Sequence, residues 1–182
     1  GAGGSIGSEL SRQIITLNPK KLILLESNEF ALYSLVSEFN ELDHSNIEII
    51  PVLGNATNEV LLNEIFEKNK IQVVFHAAAY KHVPLVEINP LEGLLNNVLS
   101  SYLICKVSAE TSASDIVLIS SDKAVRPTNI MGASKRLSEL IFKSFSRNSS
   151  KNFSMVRFGN VIGSSGSVVP LFKKQISNGG PV

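Results

Sequence analysis

The sequence predicts an α/β fold in which helices cover a doubly wound parallel sheet. Two observations support this prediction. Short runs of apolar residues, typical of strands buried on both faces, occur five times along the 182 residues. Segments whose apolar residues recur at helical spacing lie between these runs, and strands that alternate with helices form right-handed βαβ units.

The predicted elements follow one another in a regular order. The apolar runs predict strands at 22–25, 47–53, 73–75, 116–120 and 153–158. Helical spacing predicts helices at 6–17, 32–39, 61–66 and 95–103, the last beginning at Asn89-Pro90. Another helix should follow Pro127, with Thr128 or Asn129 as its N-cap. No repeat, low-complexity tract or linker interrupts this order, so residues 1–182 should form a single domain.

The two ends of the chain suggest that this domain is incomplete. The glycine-rich segment 1–7 opens a helix, but no strand precedes it, and such a fingerprint normally follows the central first strand of the sheet. We therefore expect a fragment that lacks its first strand and a C-terminal substrate-binding part. The polar segment 163–167 would be a cover over the nucleotide or a linker to that part.

The composition narrows the class of protein. Hydrophobic residues make up 43% of the chain and charged residues 18%, as expected for a globular domain with a sizeable core. The net charge of +1 argues against nucleic acid as the main partner. No apolar run reaches the ~18 residues that a membrane span needs. The single cysteine, Cys105, is predicted to be a packed thiol in a reducing compartment.

The segment 1–7 is a candidate phosphate-binding turn. Gly1, Gly4 and Gly7 are spaced three apart. Glycines in this pattern permit a tight turn, a close approach of the backbone to a pyrophosphate, and close packing of the following helix. The first helical residues, Ser5 and Ile6, would then direct their N–H groups at the phosphate.

An acidic residue supports dinucleotide binding. Glu26 ends the second strand of the predicted sheet, 19 residues after Gly7, where a carboxylate can bind the hydroxyls of the adenosine ribose. A carboxylate there favours NAD over NADP. Ser27 and Asn28 could still donate hydrogen bonds to a 2′-phosphate, so both cofactors stay open.

The segment from Ser121 to Lys135 carries the strongest chemical signal. Ser121, Asp122 and Lys123 follow strand 116–120 directly, and the carboxyl ends of strands are where open α/β sheets bind ligands. Met131 and Lys135 are four residues apart and therefore share one face of the predicted helix.

This segment resembles the short-chain dehydrogenase/reductase superfamily, with Met131 where that superfamily has tyrosine. More narrowly, it is similar to the extended nucleotide-sugar 4,6-dehydratases of bacterial capsule, lipopolysaccharide and glycan synthesis. Their membrane-anchored branch carries methionine at this position and threonine where Ser121 stands. The resemblance covers essentially the whole chain and implies a Rossmann fold.

The resemblance implies a role for each residue of the segment. Asp122 would protonate the departing C6 hydroxyl, which requires desolvation to keep it protonated, and Lys123 would be the base at C5, which requires burial. Ser121 would bind the sugar near O4, and Lys135 would reach the nicotinamide ribose. Because a thioether cannot transfer a proton, the O4 proton would go to Lys135, Asp122, Lys123 or an ordered water instead of Met131.

Further site residues come from the same resemblance, each with a simpler alternative. Asn55 and Ala56 would contact adenine, although a turn-forming asparagine is equally compatible. The small residues Ala77, Ala78 and Ala79 would lie under the cofactor or merely pack. Lys81 and His82 would meet the substrate or be solvated, Asn160 would hold the substrate, and no residue is assigned to a metal.

The implied activity is a UDP-N-acetylglucosamine-type 4,6-dehydratase with tightly bound, recycled NAD or NADP and a UDP-sugar substrate. The resemblance also implies a homo-oligomer whose catalytic domain lies in the cytoplasm, anchored in the bacterial inner membrane only through upstream segments. Two alternatives remain. A nucleotide-sugar 4-epimerase would need tyrosine at Met131 and has no use for Asp122 and Lys123 as an acid/base pair. A non-catalytic NAD(P)-binding regulator would tolerate methionine.

Overall fold

The computed structural model describes residues 1–41, 46–161 and 168–181. The strands are β1 Lys21–Glu26, β2 Glu48–Leu53, β3 Val73–His76, β4 Asp115–Ser121 and β5 Asn152–Phe158. The α-helices are α1 Ser5–Ile15, α2 Glu29–Asn40, α3 Glu59–Asn69, α4 Val83–Ile88, α5 Pro90–Leu94, α6 Ser100–Glu110, α7 Ile130–Asn148 and α8 Val168–Ser177. The five predicted strands are confirmed, with every boundary within one residue.

All strand pairs are parallel, as predicted. β1 pairs with β2, and β3, β4 and β5 form a second sheet in that order. Within the described ranges no strand pairs with both β1 and β3. The order expected for a doubly wound sheet places a first strand between them, and this strand stays a prediction. Because the strands of each sheet are parallel, Ser121 and Phe158 lie side by side at one edge.

Helices bury the apolar sides of both sheets. Ile116 and Leu118 of β4 are fully buried and belong to the same core as Phe142 of α7. A second core joins Leu24 of β1 to Phe39 of α2. Each such side chain contributes about 1.5–3 kcal/mol to folding when it is removed from water. These cores hold the strand ends in place for the site described below.

The region between β3 and β4 is less regular than predicted. A single helix beginning at Asn89 was expected, but α5 continues into a π-helical turn, Leu95–Leu99, before α6. A preceding helix, α4, was not predicted at all. The π turn contains Asn97, whose buried side chain bonds groups outside its helix, and such turns often occur at functional sites.

The carboxyl-terminal part differs from prediction in one further respect. α8 was not expected, and the polar segment 163–167 lies outside the described residues. Among the helices that the structure describes, none combines the length and the apolar character needed to cross a bilayer.

Candidate active site

Two cavities lie at the carboxyl ends of the strands. The larger has a volume of about 830 Å³ and the smaller about 310 Å³. Both are lined by Gly1, Gly3, Gly4, Ala77, Ala79 and Tyr80, so the two spaces adjoin along the turn that precedes α1 and the segment that follows β3. Volumes in this range suit small ligands and cofactors.

The glycines of the turn before α1 have different roles: Gly7 allows the turn to close, and Gly4 lines both cavities. A Cβ added at Gly7 would lie 1.9 Å from the carbonyl oxygen of Gly1, so glycine is required there for the turn to close. A Cβ at Gly4 would meet no protein atom closer than 3.6 Å, and Gly4 lines both cavities. Ser5 and Ile6, the first residues of α1, line the larger cavity. This cradle fits a pyrophosphate at a helix N-terminus.

Glu26 closes the smaller cavity as an ionised group. Its Oε2 accepts a hydrogen bond from the N–H of Gly3 at 2.9 Å, and its Oε1 accepts from the N–H groups of Ser27 and Asn28 at 2.9 and 3.0 Å. Burial alone would raise the pKa of Glu26, but the hydrogen bonds from these backbone donors lower it below its ordinary value. A fixed negative charge therefore lies at the wall of the smaller cavity.

Two residues for which the resemblance implied adenine contacts border the smaller cavity. Asn55 and Ala56 line the smaller cavity together with Ala77, Ala78 and Ala79. The Oδ1 of Asn55 also accepts hydrogen bonds from the N–H and hydroxyl of Thr57, at 2.9 and 3.0 Å. Asn55 thus forms a turn and borders the cavity, so its two predicted interpretations are compatible.

The end of β4 forms a compact polar turn. Ser121 is followed by a 3₁₀ turn, Asp122–Ala124. The hydroxyl of Ser121 donates to Asp122 Oδ1 at 2.9 Å and accepts the N–H of Lys123 at 3.2 Å. The Nζ of Lys123 lies 3.3 Å from Asp122 Oδ1 and 3.1 Å from Oδ1 of Asn160, which follows β5. Ser121, Lys123 and Asn160 line the larger cavity, whereas Asp122 lies beside it.

The protonation states expected for this turn need correction. The side chain of Asp122 is 57% exposed, and the hydrogen bond from Ser121, aided by Lys123, lowers its pKa below the ordinary value despite a small opposing effect of burial. Asp122 is therefore ionised in this structure rather than held protonated by desolvation. Lys123 is also 37% exposed, so the expected burial of this lysine is wrong.

The helix opposite this turn carries the buried lysine. Asn129 is the N-cap of α7, since its Oδ1 accepts the N–H of Gly132 at 2.8 Å, which confirms one of the two predicted caps. A Cβ at Gly132 would lie 2.4 Å from the carbonyl oxygen of Lys123, so glycine lets α7 pack directly on the turn. Met131 and Lys135 are buried and line the larger cavity from one face of α7, as predicted.

Lys135 is the strongly perturbed lysine of the site. Its Nζ donates to the carbonyl oxygen of Ile119 at 2.7 Å. Burial lowers the pKa of Lys135 to about 8, against the partly compensating negative charge of Glu139. Sequence reasoning expected such a shift at Lys123, but the fold places Lys135 inside and Lys123 at the cavity surface.

The segment after β3 forms another wall of the larger cavity. Lys81 and His82 line it, as does Tyr80, which the sequence analysis did not select. The backbone of Tyr80 is fixed by Asn97: the N–H of Tyr80 donates to Asn97 Oδ1 at 2.7 Å, and Asn97 Nδ2 donates to the carbonyl of Tyr80 at 3.0 Å. Asn97 Nδ2 also donates to the hydroxyl of Ser134 at 2.9 Å. No sequence signal separates such an asparagine from a solvated one.

A buried histidine lies behind this wall. Burial and the charge of Lys135 lower the pKa of His76 to about 3, so the imidazole is neutral. Its Nε2 is 3.1 Å from the hydroxyl of Ser101 in α6. His76 does not line either cavity and contacts α6 in the protein interior.

Comparison with known proteins identifies the family. A family described as "Polysaccharide biosynthesis protein" matches residues 1–182. The chain belongs to this family. Membership confirms the resemblance found in the sequence. Nucleotide-sugar dehydratases and epimerases are among the relatives that this chain matches.

Three curated relatives illustrate the range of this polysaccharide biosynthesis family. The capsular polysaccharide biosynthesis protein CapD of Staphylococcus aureus is 47% identical over the whole chain, which spans 31% of that protein. A UDP-N-acetylglucosamine 4,6-dehydratase (inverting) of Campylobacter jejuni is 32% identical over 98% of the chain. A UDP-glucose 4-epimerase of Rickettsia canadensis is also 32% identical over 98%. The chain spans about half of the latter two proteins, 53% and 52%.

Solved structures confirm the Rossmann-type fold of this family member. Pen from Bacillus thuringiensis is 34% identical, with a TM-score of 0.87 over 97% of the chain and 54% of Pen. The dTDP-glucose 4,6-dehydratase DesIV from Streptomyces venezuelae, solved with NAD, has a TM-score of 0.83 over the whole chain and 62% of DesIV. At 19% identity, DesIV supports the fold alone.

Proposed function

We propose that this chain forms the cofactor-binding part of a nucleotide-sugar 4,6-dehydratase that converts UDP-N-acetylglucosamine into a 4-keto-6-deoxy sugar nucleotide. The observation that carries the proposal is the Ser121–Asp122–Lys123 turn at the end of β4, which faces Met131 and Lys135 around one cavity. An acid/base pair beside a dinucleotide cradle is what the removal of water next to a transient ketone requires.

The ionised state of Asp122 suggests a route for the O4 proton. Asp122 begins as a carboxylate, and Ser121 donates to it at 2.9 Å from a hydroxyl that borders the cavity. When C4 is oxidised, the O4 proton passes to Asp122, directly or through Ser121. Asp122 then gives the same proton to the C6 hydroxyl as it leaves as water. One carboxylate thus acts first as base and then as acid, and Met131 need not carry a proton.

Lys123 is the base at C5 in this proposal. Its Nζ lies 3.3 Å from Asp122, and its side chain is partly exposed. The C5 step requires this lysine as the neutral amine. The amine removes the C5 proton when the C6–O bond breaks and returns a proton to C5 afterwards. Asn160, 3.1 Å from Lys123 Nζ, orients this amine.

The cofactor proposed for the site is NAD. A bound nicotinamide would supply the acceptor for the C4 hydride and its donor to C6. Gly4 and the start of α1 would hold the pyrophosphate, Glu26 the adenosine ribose, and Lys135 the nicotinamide ribose. The ionised carboxylate of Glu26 would repel a 2′-phosphate, which favours NAD over NADP.

A 4-epimerase is the second candidate, since a relative of that name is 32% identical over nearly the whole chain. Met131, buried in the cavity wall where an epimerase would need a proton-transferring tyrosine, favours the dehydratase. A non-catalytic NAD(P)-binding regulator would gain nothing from Ser121, Lys123 and Lys135 arranged around one cavity, with Asp122 beside it.

The proposal is tested with the full-length protein and UDP-N-acetylglucosamine in heavy water, with the sugar followed by NMR. A 4-keto-6-deoxy product that carries solvent deuterium at C5 is expected. A C4 epimer would replace the proposal with the epimerase. Unchanged substrate, with NAD bound to the protein, would support the regulator or a different sugar.

A further inference from the structure

Glu139 is a buried acid outside the cavity lining. It lies one helical turn beyond Lys135 on α7, and its side chain is 1% exposed. An ionised carboxylate at this depth is costly unless donors surround it. Burial alone would raise the pKa of Glu139, but hydrogen bonds from Arg157, Ser120 and Arg136 outweigh it and lower the pKa to about 2. Glu139 is therefore charged at every physiological pH.

The donors of Glu139 come from the elements that supply the active site. The hydroxyl of Ser120, the β4 residue before Ser121, donates to Oε1 at 2.7 Å. Arg157 of β5 donates from Nε to Oε1 at 2.7 Å and from a terminal nitrogen to Oε2 at 2.6 Å. Asn160 lies three residues beyond Arg157. Glu139 thus links the ends of β4 and β5 to α7, and these ends hold Lys123 and Asn160 3.1 Å apart.

Glu139 also acts electrostatically on Lys135. The titratable groups around Lys135 and its partner are Glu139 and Arg136 on α7, Arg157 on β5 and the neutral His76 on β3. Among these four groups, Glu139 is the one that carries a negative charge. Its charge favours the ammonium form of Lys135 against burial.

We propose that Glu139 is a positioning residue of this active site: it fixes the ends of β4 and β5 through Ser120 and Arg157, and it places a negative charge one helical turn from Lys135, which lines the larger cavity. The role in turnover depends on the proposed dehydratase function, whereas the effect on Lys135 does not. Glu139 touches neither cavity and is not itself a catalytic residue.

The test uses full-length Glu139→Gln, which keeps the size of the side chain but removes its charge. Protein labelled with ¹³C,¹⁵N-lysine gives the titration of Lys135 by NMR, assigned with Lys135→Arg. Arg157→Lys breaks the two-point contact while leaving Glu139 in place. Glu38→Gln is the matched control, because Arg12 binds Glu38 with the same two-point geometry, at 2.6 and 2.9 Å, on α1 and α2.

In Glu139→Gln the Lys135 titration should move to lower pH, and kcat should fall about 10- to 100-fold with little change in KM. Arg157→Lys should lower kcat in the same way. If Glu139→Gln does not fold, the kcat of Arg157→Lys tests the positioning role. Glu38→Gln should change neither quantity. An unmoved Lys135 titration and unchanged kcat in folded variants would overturn the inference, leaving Glu139 a structural residue.

If wild-type protein turns over no nucleotide sugar, the proposed function fails. The Lys135 titration still tests the electrostatic effect of Glu139 in that case.

Discussion

Lys123 and Asn160 meet across the ends of two neighbouring strands, with Nζ of the lysine 3.1 Å from Oδ1 of the asparagine. Lys123 follows β4 and Asn160 follows β5, and both line the larger cavity. The parallel register of β4 and β5, which pairs Ser121 with Phe158, places these side chains together although 37 residues separate them. The same lysine contacts Asp122, so an amide and a carboxylate orient one amine toward the cavity.

Replacement of this amine should abolish the chemistry but not cofactor binding. Lys123→Met removes the proposed base at C5, and loss of a general base typically costs about 10²–10⁴ in rate. Steady-state kinetics should show this loss. The affinity for NAD, measured by calorimetry, should stay within about twofold of the wild-type value, well below the tenfold change that corresponds to 1.4 kcal/mol. Lys21→Met, at the opposite end of β1, is the control. Wild-type turnover in Lys123→Met would remove the base assignment.

Met131 should be replaceable by an apolar residue of similar volume. If Asp122 takes the O4 proton, Met131 only fills the cavity wall, where it is 3% exposed. Volume-conserving apolar swaps in packed sites usually cost less than about 1.5 kcal/mol. Met131→Leu should therefore retain kcat within roughly threefold and unfold near the wild-type temperature. A hundredfold loss of kcat in a folded variant would show that the thioether itself takes part.

Two glycines of the cofactor turn should respond differently to alanine. Gly7→Ala would place a Cβ 1.9 Å from a backbone oxygen and should destabilise the fold by about 1–3 kcal/mol, the usual cost of overpacking. Gly4→Ala meets no protein atom closer than 3.6 Å, so it should fold normally but lose NAD affinity by about tenfold or more. Thermal unfolding and calorimetry separate the two effects. Full NAD affinity in Gly4→Ala would contradict the proposed position of the pyrophosphate.

In the protein without bound cofactor, the buried ammonium of Lys135 should lower the free energy of unfolding at neutral pH. Its pKa is about 8 in the folded state against an ordinary 10.5, so the unfolded chain binds more protons between these values and stability rises with pH through that window. Below pH 8 the buried ammonium costs about 3 kcal/mol. Lys135→Met should therefore be more stable than the wild type at pH 7. The gain should be smaller than this cost, because the substitution also removes the hydrogen bond to the carbonyl oxygen of Ile119. Urea unfolding at pH 7 and pH 10 should show this advantage shrinking as pH rises.

The fold was largely predictable because its signals are local. Apolar runs located all five strands within one residue, and Asn129 was one of two predicted caps. The π turn at Leu95–Leu99 was not predictable, since it depends on Asn97 binding the backbone of Tyr80, 17 residues away. Contacts at such separations leave no periodic pattern in the sequence.

The site residues were easier to select than their electrostatic states. Ser121, Lys123, Met131 and Lys135 line the larger cavity, but burial was expected at Lys123 and found at Lys135. Burial depends on how α7 packs against the turn after β4, which spacing alone does not determine. Glu139 was missed because a helical glutamate ordinarily faces solvent, and only the fold brings Arg157 to it.

The most direct test of the dehydratase proposal traces the hydrogen at C4. Full-length protein is given UDP-N-acetylglucosamine deuterated at C4, and the product is examined by NMR and mass spectrometry. The proposal predicts that the deuterium appears at C6 of a 4-keto-6-deoxy sugar, because hydride leaves C4 and returns to C6 within one bound complex. Deuterium retained at C4 of an epimerised sugar, or substrate recovered unchanged, would contradict it.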